Sequence, residues 1–300
     1  MNLIHGDGQI GLLYPEVSEE YLRPLQLIDA DIAIVESPQD SDMPKIVWVE
    51  DGPATHFQNV VAYVGAQSSC PVLPPSAPYF AENQTLALQR QIEQHFAEAI
   101  AATPVYGLIL TGGRSSRMGE DKGALEYHGR SQAEFCYDLL SSICDQTFLS
   151  LRSEQSADEP YARFPQILDT LLGYGPIGGI ISALKAHPHA AWLVLACDLP
   201  YVSRGTIENL LANRNPYKLA TAYTSANDGF PEPLCAVYEP KSLFRLINFL
   251  ALGYHCPRKV LINSDTWLLE LPDSTALDNA NTPEERDRAM SAVASGSVPS

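Results

Sequence analysis

Basic residues are scarce in this sequence. Its 300 residues include 19 Lys and Arg against 36 Asp and Glu, which gives a formal net charge of −17. Nucleic-acid binding needs clustered Lys and Arg against phosphates, so this balance argues against a general nucleic-acid-binding protein. No apolar run approaches the ~18–20 residues that cross a bilayer, so we expect no membrane-spanning segment. The segment MNLIHGDGQIGLLYPE has no basic region and no long apolar run, so we expect no secretory signal.

Closely spaced cysteine pairs are also absent. None of the six cysteines forms a CxxC pair, and three of them lie in apolar segments that are typical of a buried strand or helix. We interpret the cysteines as small core residues of a protein in the reducing cytoplasm. A zinc site or a disulfide framework is the alternative. The apolar fraction of 45% is adequate for a globular core.

From Pro104 onward, short apolar strands alternate with helical segments. Uninterrupted apolar strands of this kind predict a mostly parallel sheet with helices on both faces, because such strands are buried on both sides. The expected domain covers residues 104–294, and residues 295–300 are predicted to be a disordered tail. The predicted strands are 105–110, 147–151, 191–197, 218–223, 234–238 and 267–271.

Residues 1–103 have a different pattern, which predicts a small α/β domain of their own. Three strands are predicted at 30–36, 44–50 and 59–64. A proline-rich stretch, CPVLPPSAPY, separates them from a predicted helix over 84–102. Pro104 is a natural boundary between the two domains.

The stretch LILTGGRSSRMGEDKG, residues 108–123, concentrates glycine and positive charge after a buried strand. Ligands bind beyond the carboxyl ends of parallel strands, so this loop is expected to face a ligand. Gly112 and Gly113 can bring backbone N–H groups close to an anion, and Arg117 and Lys122 add charge. The stretch matches neither GxGxxG nor GxxxxGK[ST]. A turn that only carries solvated arginines is the alternative.

Two further segments are predicted at the same edge of the sheet. Asp198 follows the apolar strand AWLVLAC, and a carboxylate together with phosphate commonly holds Mg²⁺. The alternative for Asp198 is a helix cap or a turn. In DTLLGYGPIGGI, Asp169 precedes a glycine-rich helix start at Gly175, which favours an anion or a polar ring edge. Together with the glycine loop, these segments predict a site for a nucleoside triphosphate and a metal ion.

These motifs carry a resemblance to a known family. LTGGRSSRMGEDKGAL resembles the signature LAGGxxxRMGxDK of nucleotidyltransferases that activate small phosphorylated molecules. With DTLLGYGPIGGI, CDLPY and DNANTPEE, the chain is similar to the molybdenum cofactor guanylyltransferase family over about residues 105–292. The resemblance implies a Rossmann-like fold and a cytoplasmic enzyme. It also implies transfer of GMP from Mg²⁺-bound GTP to molybdopterin, with release of pyrophosphate.

The resemblance also implies roles for individual residues. The strand end and loop would contact the nucleotide through their backbone, Lys122 would bind phosphate with Arg117 nearby, and Asp198 would be the metal ligand. Asn281 would lie near the metal or the second substrate. The implied nucleotide-binding set is Leu110, Thr111, Gly112, Gly113, Lys122, Asp169 and Gly175.

The chain departs from the family pattern at two places. Thr111 stands where alanine is usual, which is a small change. The strand end reads FLSLR, residues 148–152, where the family often has asparagine before the arginine. The second departure leaves one nucleotide contact, and with it the preference for guanine, open.

The N-terminal domain carries a second resemblance. ADIAIVESPQDSDMPKIVWVED is similar to the second half of the GTP-binding accessory protein of molybdopterin guanine dinucleotide synthesis, with Ser37 in place of a glycine. The chain contains no GxxxxGK[ST], so residues 1–103 are predicted to be a partial domain that does not bind GTP through a P-loop. An unrelated small α/β module is the alternative.

Two alternatives to the guanylyltransferase hypothesis stay open. One is an enzyme that uses CTP or another NTP, with molybdopterin or another small phosphate or sugar phosphate as acceptor. The other is a weakly catalytic subunit that binds the cofactor and delivers it; the presence of both Lys122 and Asp198 argues against it. The implied partners are GTP and molybdopterin, with molybdoenzyme apo-proteins or their chaperones as recipients.

Overall fold

The computed structural model describes residues 2–6, 9–13, 44–49, 57–66, 77–111, 122–127, 129–157, 161–280 and 282–294. The chain divides into two compact units, one of Ile32–Thr103 and one of Met1–Asp31 together with Pro104–Ser300. The predicted strand at 30–36 and the predicted tail at 295–300 lie outside the described residues. Within the described ranges, no helix is long and apolar enough to cross a bilayer.

The smaller unit contains a three-stranded parallel sheet and one long helix. Its strands are β3 (Lys45–Val49), β4 (Val60–Gly65) and β5 (Tyr79–Ala81), in that spatial order, and α1 (Thr85–Ala101) follows them. The predicted strands at 44–50 and 59–64 and the predicted helix are confirmed. The three-residue β5 was not predicted, because it follows directly on a proline-rich stretch. The other unit includes an antiparallel hairpin near the N-terminus, formed by β1 (Asn2–Gly6) and β2 (Gln9–Leu13).

The larger unit is built on a seven-stranded sheet with the spatial order β8–β7–β6–β9–β11–β10–β12. Six of these strands run parallel, and β11 runs opposite to both of its neighbours. The predicted mostly parallel sheet is therefore confirmed. In chain order the strands are β6 (Val105–Leu110), β7 (Gln146–Leu151), β8 (Gln166–Leu168), β9 (Ala191–Ala196), β10 (Ala220–Thr224), β11 (Pro231–Tyr238) and β12 (Thr266–Leu269).

Helices cover both faces of this sheet. Leu108 and Ile109 of β6 are fully buried but belong to two different core clusters, one on each face, because successive side chains of a strand alternate. Residues of α2 and α4 pack in the cluster of Ile109, and residues of α3, α5 and α6 in that of Leu108. The helices are α2 (Gln132–Ser141), α3 (Pro176–Ala186), α4 (Arg204–Ala212), α5 (Ser242–Ala251), α6 (Pro257–Ile262) and α7 (Pro283–Ala294).

The cysteines of the described part of the chain are free thiols. Cys136, Cys197 and Cys235 are buried in the same core cluster, as expected for small apolar side chains. Burial raises the pKa of the Cys235 thiol to about 12, so it stays protonated at neutral pH. No group of three or more His, Cys, Asp and Glu side chains that could hold a metal occurs among these residues. The interpretation as core residues is therefore supported for these three cysteines, whereas Cys144 is half-buried and Cys256 is exposed.

One ion pair is buried against the sheet. Arg214, which follows α4, donates from Nε and Nη2 to the two carboxylate oxygens of Glu239 at 2.7 Å each. Glu239 is 2% exposed, so its charge is compensated by this bidentate partner rather than by water.

We expect Arg214→Ala to lower the free energy of unfolding by about 3–5 kcal/mol, because it leaves the Glu239 carboxylate buried without its partner. Equilibrium urea unfolding measures this loss. The matched control is Arg204→Ala, which breaks the exposed Arg204–Glu208 pair on α4 and should cost less than about 1 kcal/mol. Equal losses in the two variants would contradict the structural role of the buried pair.

Candidate active site

The candidate site lies where four parallel strands end at one edge of the sheet. Leu110 at the end of β6 is paired with Ser150 of β7 on one side and with Ala196 of β9 on the other. Leu151 of β7 is paired with Leu168 of β8. The residues that follow these strand ends are therefore brought to the same edge, as the parallel arrangement requires.

On the β7–β8 side, hydrogen bonds join the three strand ends. The Ser150 hydroxyl donates to Asp169 Oδ1 at 2.7 Å. The Thr111 hydroxyl donates to the Ser150 carbonyl at 2.9 Å. The Asp169 N–H donates to the Leu151 carbonyl at 2.8 Å, which continues the β7–β8 pairing by one residue. The Asp169 carboxylate is thus held by its backbone and by the neighbouring strand.

The first turn of α3 packs directly on this pair. A Cβ atom at Gly179 would lie 2.4 Å from Ser150 Oγ and 3.4 Å from Asp169 Oδ1, so only glycine permits the observed approach. Gly175, which precedes the helix, has φ 65°, a conformation that favours glycine. Pro176 occupies the first helical position, where its lack of an N–H costs nothing. The GPIGG sequence therefore sets both the start of α3 and its close contact with the sheet.

These elements enclose a cleft of about 250 Å³. The cleft has an apolar wall from strand ends and the 171–173 loop, and polar groups converge on it from Asp169, Arg152 and Gln155. Its lining residues are Leu110, Thr111, Ser150, Arg152, Gln155, Asp169, Leu171, Leu172, Gly173, Gly175, Pro176 and Gly179. An apolar wall with a few convergent polar groups suits a planar, hydrogen-bonding ring.

Burial is the main influence on the charge of Asp169. Desolvation raises the pKa of its carboxyl group, and the hydrogen bond from Ser150 and the positive charge of Arg152 lower the pKa and partly oppose that rise. Arg152 is itself oriented by Gln155, whose Oε1 accepts from Arg152 Nε at 3.2 Å. Ser150 and Arg152 therefore favour the ionised carboxylate that a purely apolar pocket would disfavour.

Asp198 stands on the other side of β6, at the end of β9. The Cys197 N–H donates to the Leu110 carbonyl at 3.2 Å, which ties the chain just before Asp198 to the end of β6. The Asp198 carbonyl accepts from the Ala280 N–H at 3.1 Å, so the DNANTPEE segment is held against it. Burial raises the pKa of the nearby Tyr127 hydroxyl; the charge of Arg286 lowers it, and that of Asp198 raises it.

A second, polar cleft of about 350 Å³ lies beside this segment. Asp278 and Asn279, which precede α7, line this cleft together with Glu285 and Arg288 of α7. Tyr201 and Asn227 complete the lining. Tyr201 also packs, with Tyr127 and Ala280, in a small apolar cluster. The DNANTPEE motif thus contributes both to packing and to a polar surface near Asp198.

The structure brings together four of the residues singled out from the sequence. Leu110, Thr111, Asp169 and Gly175 line one cleft, and Asp198 lies at the same sheet edge without lining that cleft. Lys122 begins a single turn of 3₁₀ helix, Lys122–Ala124. Gly112, Gly113, Arg117 and Asn281 lie outside the described residues.

Sequence reasoning missed three residues of the cleft: Ser150, Arg152 and Gln155. The signal for the first two was the FLSLR strand end, which stood out only as a departure from a family pattern. Gln155 follows in a short 3₁₀ turn, Ser153–Gln155, that no periodicity could indicate.

Comparison with known proteins indicates a family. A family model described as the MobA-like NTP transferase domain matches residues 107–266. A molybdenum cofactor guanylyltransferase of Pseudomonas putida is 34% identical over 196 residues, which cover 61% of this chain and 96% of that protein. A molybdenum cofactor biosynthesis bifunctional protein of Synechocystis is 39% identical over 186 residues. That match covers 62% of this chain and 54% of the Synechocystis protein, so the chain spans about half the length of that relative.

Among solved structures, molybdopterin-guanine dinucleotide biosynthesis protein A of Archaeoglobus fulgidus has a similar fold. The TM-score is 0.53 at 24% identity, and the match covers 63% of this chain and 99% of that one. At this level of identity the likeness supports the α/β fold, which is the fold expected from the sequence.

We expect Gly179→Ala to lower the free energy of unfolding by about 1–3 kcal/mol, because the added methyl overlaps Ser150 and pushes α3 from the sheet. Urea unfolding measures the loss, and nucleotide affinity should fall with it. The matched control is Gly205→Ala in the first turn of α4, where the nearest atom to an added Cβ is 3.7 Å away. The free energy of unfolding of that variant should equal that of the wild type or exceed it by about 0.5–1 kcal/mol. Destabilisation of both variants to the same degree would contradict the packing argument.

Asp169→Asn should change how stability depends on pH. Burial raises the pKa of Asp169 above the ordinary value of 3.8, so the folded protein binds this proton more tightly than the unfolded chain. The wild type therefore loses stability as pH rises from the ordinary value through the raised one, and the Asn variant lacks that loss. Unfolding midpoints measured at a series of pH values should show that the stability of the variant relative to the wild type increases as pH rises across this window. A gap that is constant or that shrinks as pH rises would contradict the raised pKa.

Proposed function

Because this chain belongs to the family of MobA-like NTP transferase domains, we propose that it transfers GMP from GTP to molybdopterin and releases pyrophosphate. The chain is a nucleotidyltransferase by its family, and the guanylyltransferase of Pseudomonas putida supports the choice of nucleotide and acceptor. The recipients of the product, molybdoenzyme apo-proteins or their chaperones, belong to this proposal as well.

The observation that carries the nucleotide assignment is the Asp169 carboxylate held in the cleft by Ser150. A carboxylate accepts hydrogen bonds only. Guanine presents two adjacent donors, its ring N1–H and its 2-amino group, on one edge, so a single ionised carboxylate can accept from both. Cytosine offers only its 4-amino group as a donor on the corresponding edge, and the CTP alternative therefore fits this group less well.

The reaction needs no side-chain nucleophile. An oxygen of the terminal phosphate of molybdopterin, already an anion at neutral pH, forms a bond to the α-phosphorus of GTP. The bond from that phosphorus to the α–β bridging oxygen breaks, and its electron pair leaves with pyrophosphate. The protein then acts by placing the two reactants in line and by stabilising the charge that develops.

The phosphate contacts in this proposal come from the glycine-rich loop. Gly112 and Gly113 offer backbone N–H groups, and Lys122 and Arg117 bind the β- and γ-phosphates and stabilise the leaving pyrophosphate. Their roles follow from the LTGGRSSRMGEDKG motif, which begins with Leu110 and Thr111 of the cleft lining. An acidic chain keeps other polyanions away while this local charge accepts one.

We assign Mg²⁺ to Asp198. Asp198 is a half-buried carboxylate at a strand end. A carboxylate oxygen suits Mg²⁺, which is commonly bound by one or two carboxylates and completed by substrate phosphates and water. When bound, the ion would supply positive charge to the phosphates. The Asp198 side chain would hold it, and its backbone, through Ala280, keeps the DNANTPEE segment beside the site.

The division of the chain is also part of the proposal. Residues 104–294 form the transferase domain, and residues 1–103 form an accessory-like domain that binds no GTP through a P-loop. The absence of GxxxxGK[ST] from the sequence supports the proposal that residues 1–103 do not bind GTP through a P-loop.

A nucleotide panel tests the proposed function. Purified protein with Mg²⁺ and molybdopterin is given GTP, CTP, UTP or ATP in turn, and pyrophosphate release is measured. The proposal expects release with GTP in preference to the others, and only when molybdopterin is present. Preference for CTP would favour the first alternative, an enzyme that uses CTP in place of GTP. GTP binding without pyrophosphate release would favour the second, a subunit that binds the cofactor and delivers it.

Asp198→Asn should fold normally and lose most Mg²⁺-dependent activity, roughly a hundredfold or more in turnover, because the variant loses the anionic ligand. If Asp198 were only a cap, Asn would serve almost equally well. Turnover is measured over a range of Mg²⁺ concentrations, and excess Mg²⁺ should rescue little. The control is Asp265→Asn, which changes an exposed aspartate paired with Lys218 at the far edge of the sheet. Near wild-type turnover in the Asp198 variant would move the metal site elsewhere.

A further inference from the structure

Two buried hydroxyl groups connect the strand ends to the Asp169 carboxylate. Thr111, 1% exposed, donates to the carbonyl of Ser150, and Ser150, 6% exposed, donates to Asp169 Oδ1. The bonds run across β6, β7 and β8 in sequence, at 2.9 and 2.7 Å. Thr111 and the FLSLR strand end that holds Ser150 are also the two places where the sequence departs from the family pattern. The Thr111 hydroxyl thus contacts the strand end that carries the second departure.

We propose that Thr111 and Ser150 are positioning residues that hold the Asp169 carboxylate for the donor edge of guanine and so determine the base preference of the reaction. The inference rests on the proposed function and deepens it. It assigns the preference for guanine to a relay of two hydrogen bonds, from the Thr111 hydroxyl to the Ser150 carbonyl and from the Ser150 hydroxyl to Asp169, rather than to an asparagine at the strand end.

The backbone of α3 packs on the residue that donates to the carboxylate. A Cβ at Gly179 would lie 2.4 Å from Ser150 Oγ, whereas its distance of 3.4 Å from Asp169 Oδ1 would be an ordinary contact. Among the residues that the structure describes, Arg152, which follows β7, is the charged side chain that acts on Asp169, and it favours the ionised form. The first two turns of α3, PIGGIIS, carry no charged side chain. Ser150 is therefore the neutral donor that fixes one carboxylate oxygen.

Loss of the Ser150 hydroxyl has two consequences. The carboxylate loses the bond that orients it, so the two donors of guanine meet a less well-placed acceptor. The pKa of Asp169 also rises further, because the Ser150 hydrogen bond is one of the two influences that lower it. Both consequences weaken recognition of guanine, and the second makes that recognition sensitive to mild acid.

The test compares Ser150→Ala and Thr111→Val with Thr221→Val in the full-length chain. Thr221 is a fully buried threonine of β10 whose hydroxyl accepts a single bond, from the Asn215 N–H at 2.9 Å, away from the cleft. The control therefore loses one buried hydrogen bond of similar length. The substrates are GTP and inosine triphosphate, which lacks the 2-amino group. The readouts are kcat and KM for each nucleotide, and the pH profile of kcat/KM.

For Ser150→Ala we expect KM for GTP to rise roughly tenfold with kcat changed much less, as for loss of one hydrogen bond to a charged group. The preference for GTP over inosine triphosphate should shrink by a similar factor. The acid limb of the pH profile should move to higher pH. Thr111→Val should raise KM for GTP by a smaller factor. Thr111→Ser keeps the hydroxyl and should have the wild-type KM. Thr221→Val should leave all three readouts as in the wild type.

The result that would overturn the relay is a Ser150→Ala protein that folds and matches Thr221→Val in KM, base preference and pH profile. If the variant does not fold, Thr111→Val decides by the same three readouts. Failure of the proposed function is separate, because it would appear in the wild type as absence of pyrophosphate release from GTP.

Discussion

The close approach of α3 to the sheet is the constraint on which the rest of the candidate site depends. Gly179 has no side chain, so the first turn of the helix rests on Ser150 and Asp169 with no room for even a methyl group. That contact closes one wall of the cleft and limits the orientation of the carboxylate. It also places the start of α3, at Gly175, over the ends of β6, β7 and β8. Ser150 and Asp169 therefore take part both in the packing of α3 and in the lining of the cleft.

The parallel sheet separates the site into two parts on either side of β6. Toward β8, a half-buried carboxylate, an arginine and an apolar wall suit a base. Toward β9, Asp198 and the segment tied to it through Ala280 suit phosphates, a metal ion and an acceptor. In the sequence, the glycine-rich stretch follows β6, the strand between these parts. A nucleotide that spans both parts would present its phosphates to the loop, which is the arrangement that in-line transfer requires.

Much of this was predictable from the sequence, because buried parallel strands are apolar throughout and their ends carry the motifs. VYGLIL and AWLVLAC indicated β6 and β9, and Asp169 and Asp198 followed as edge residues. The short strand β8 was not predictable, since three residues show no periodicity. The bond from Ser150 to Asp169 was not predictable either, because it joins positions 19 residues apart whose pairing depends on β8. The half of the antiparallel β11 that pairs with β9, CAVY, is as buried and apolar as a parallel strand, so its direction could not be predicted from composition.

In the proposed reaction, the terminal phosphate of molybdopterin attacks the α-phosphorus of GTP. Parallel reactions with GTP labelled at the α- or at the γ-phosphate, in the presence of Mg²⁺ and molybdopterin, test this step. If molybdopterin attacks the α-phosphorus, the α-label appears in a molybdopterin–guanine dinucleotide and the γ-label appears in pyrophosphate, in equal molar amounts. Release of the γ-label as inorganic phosphate, with the α-label left in GDP, would show hydrolysis in place of transfer and would rule out the proposed reaction.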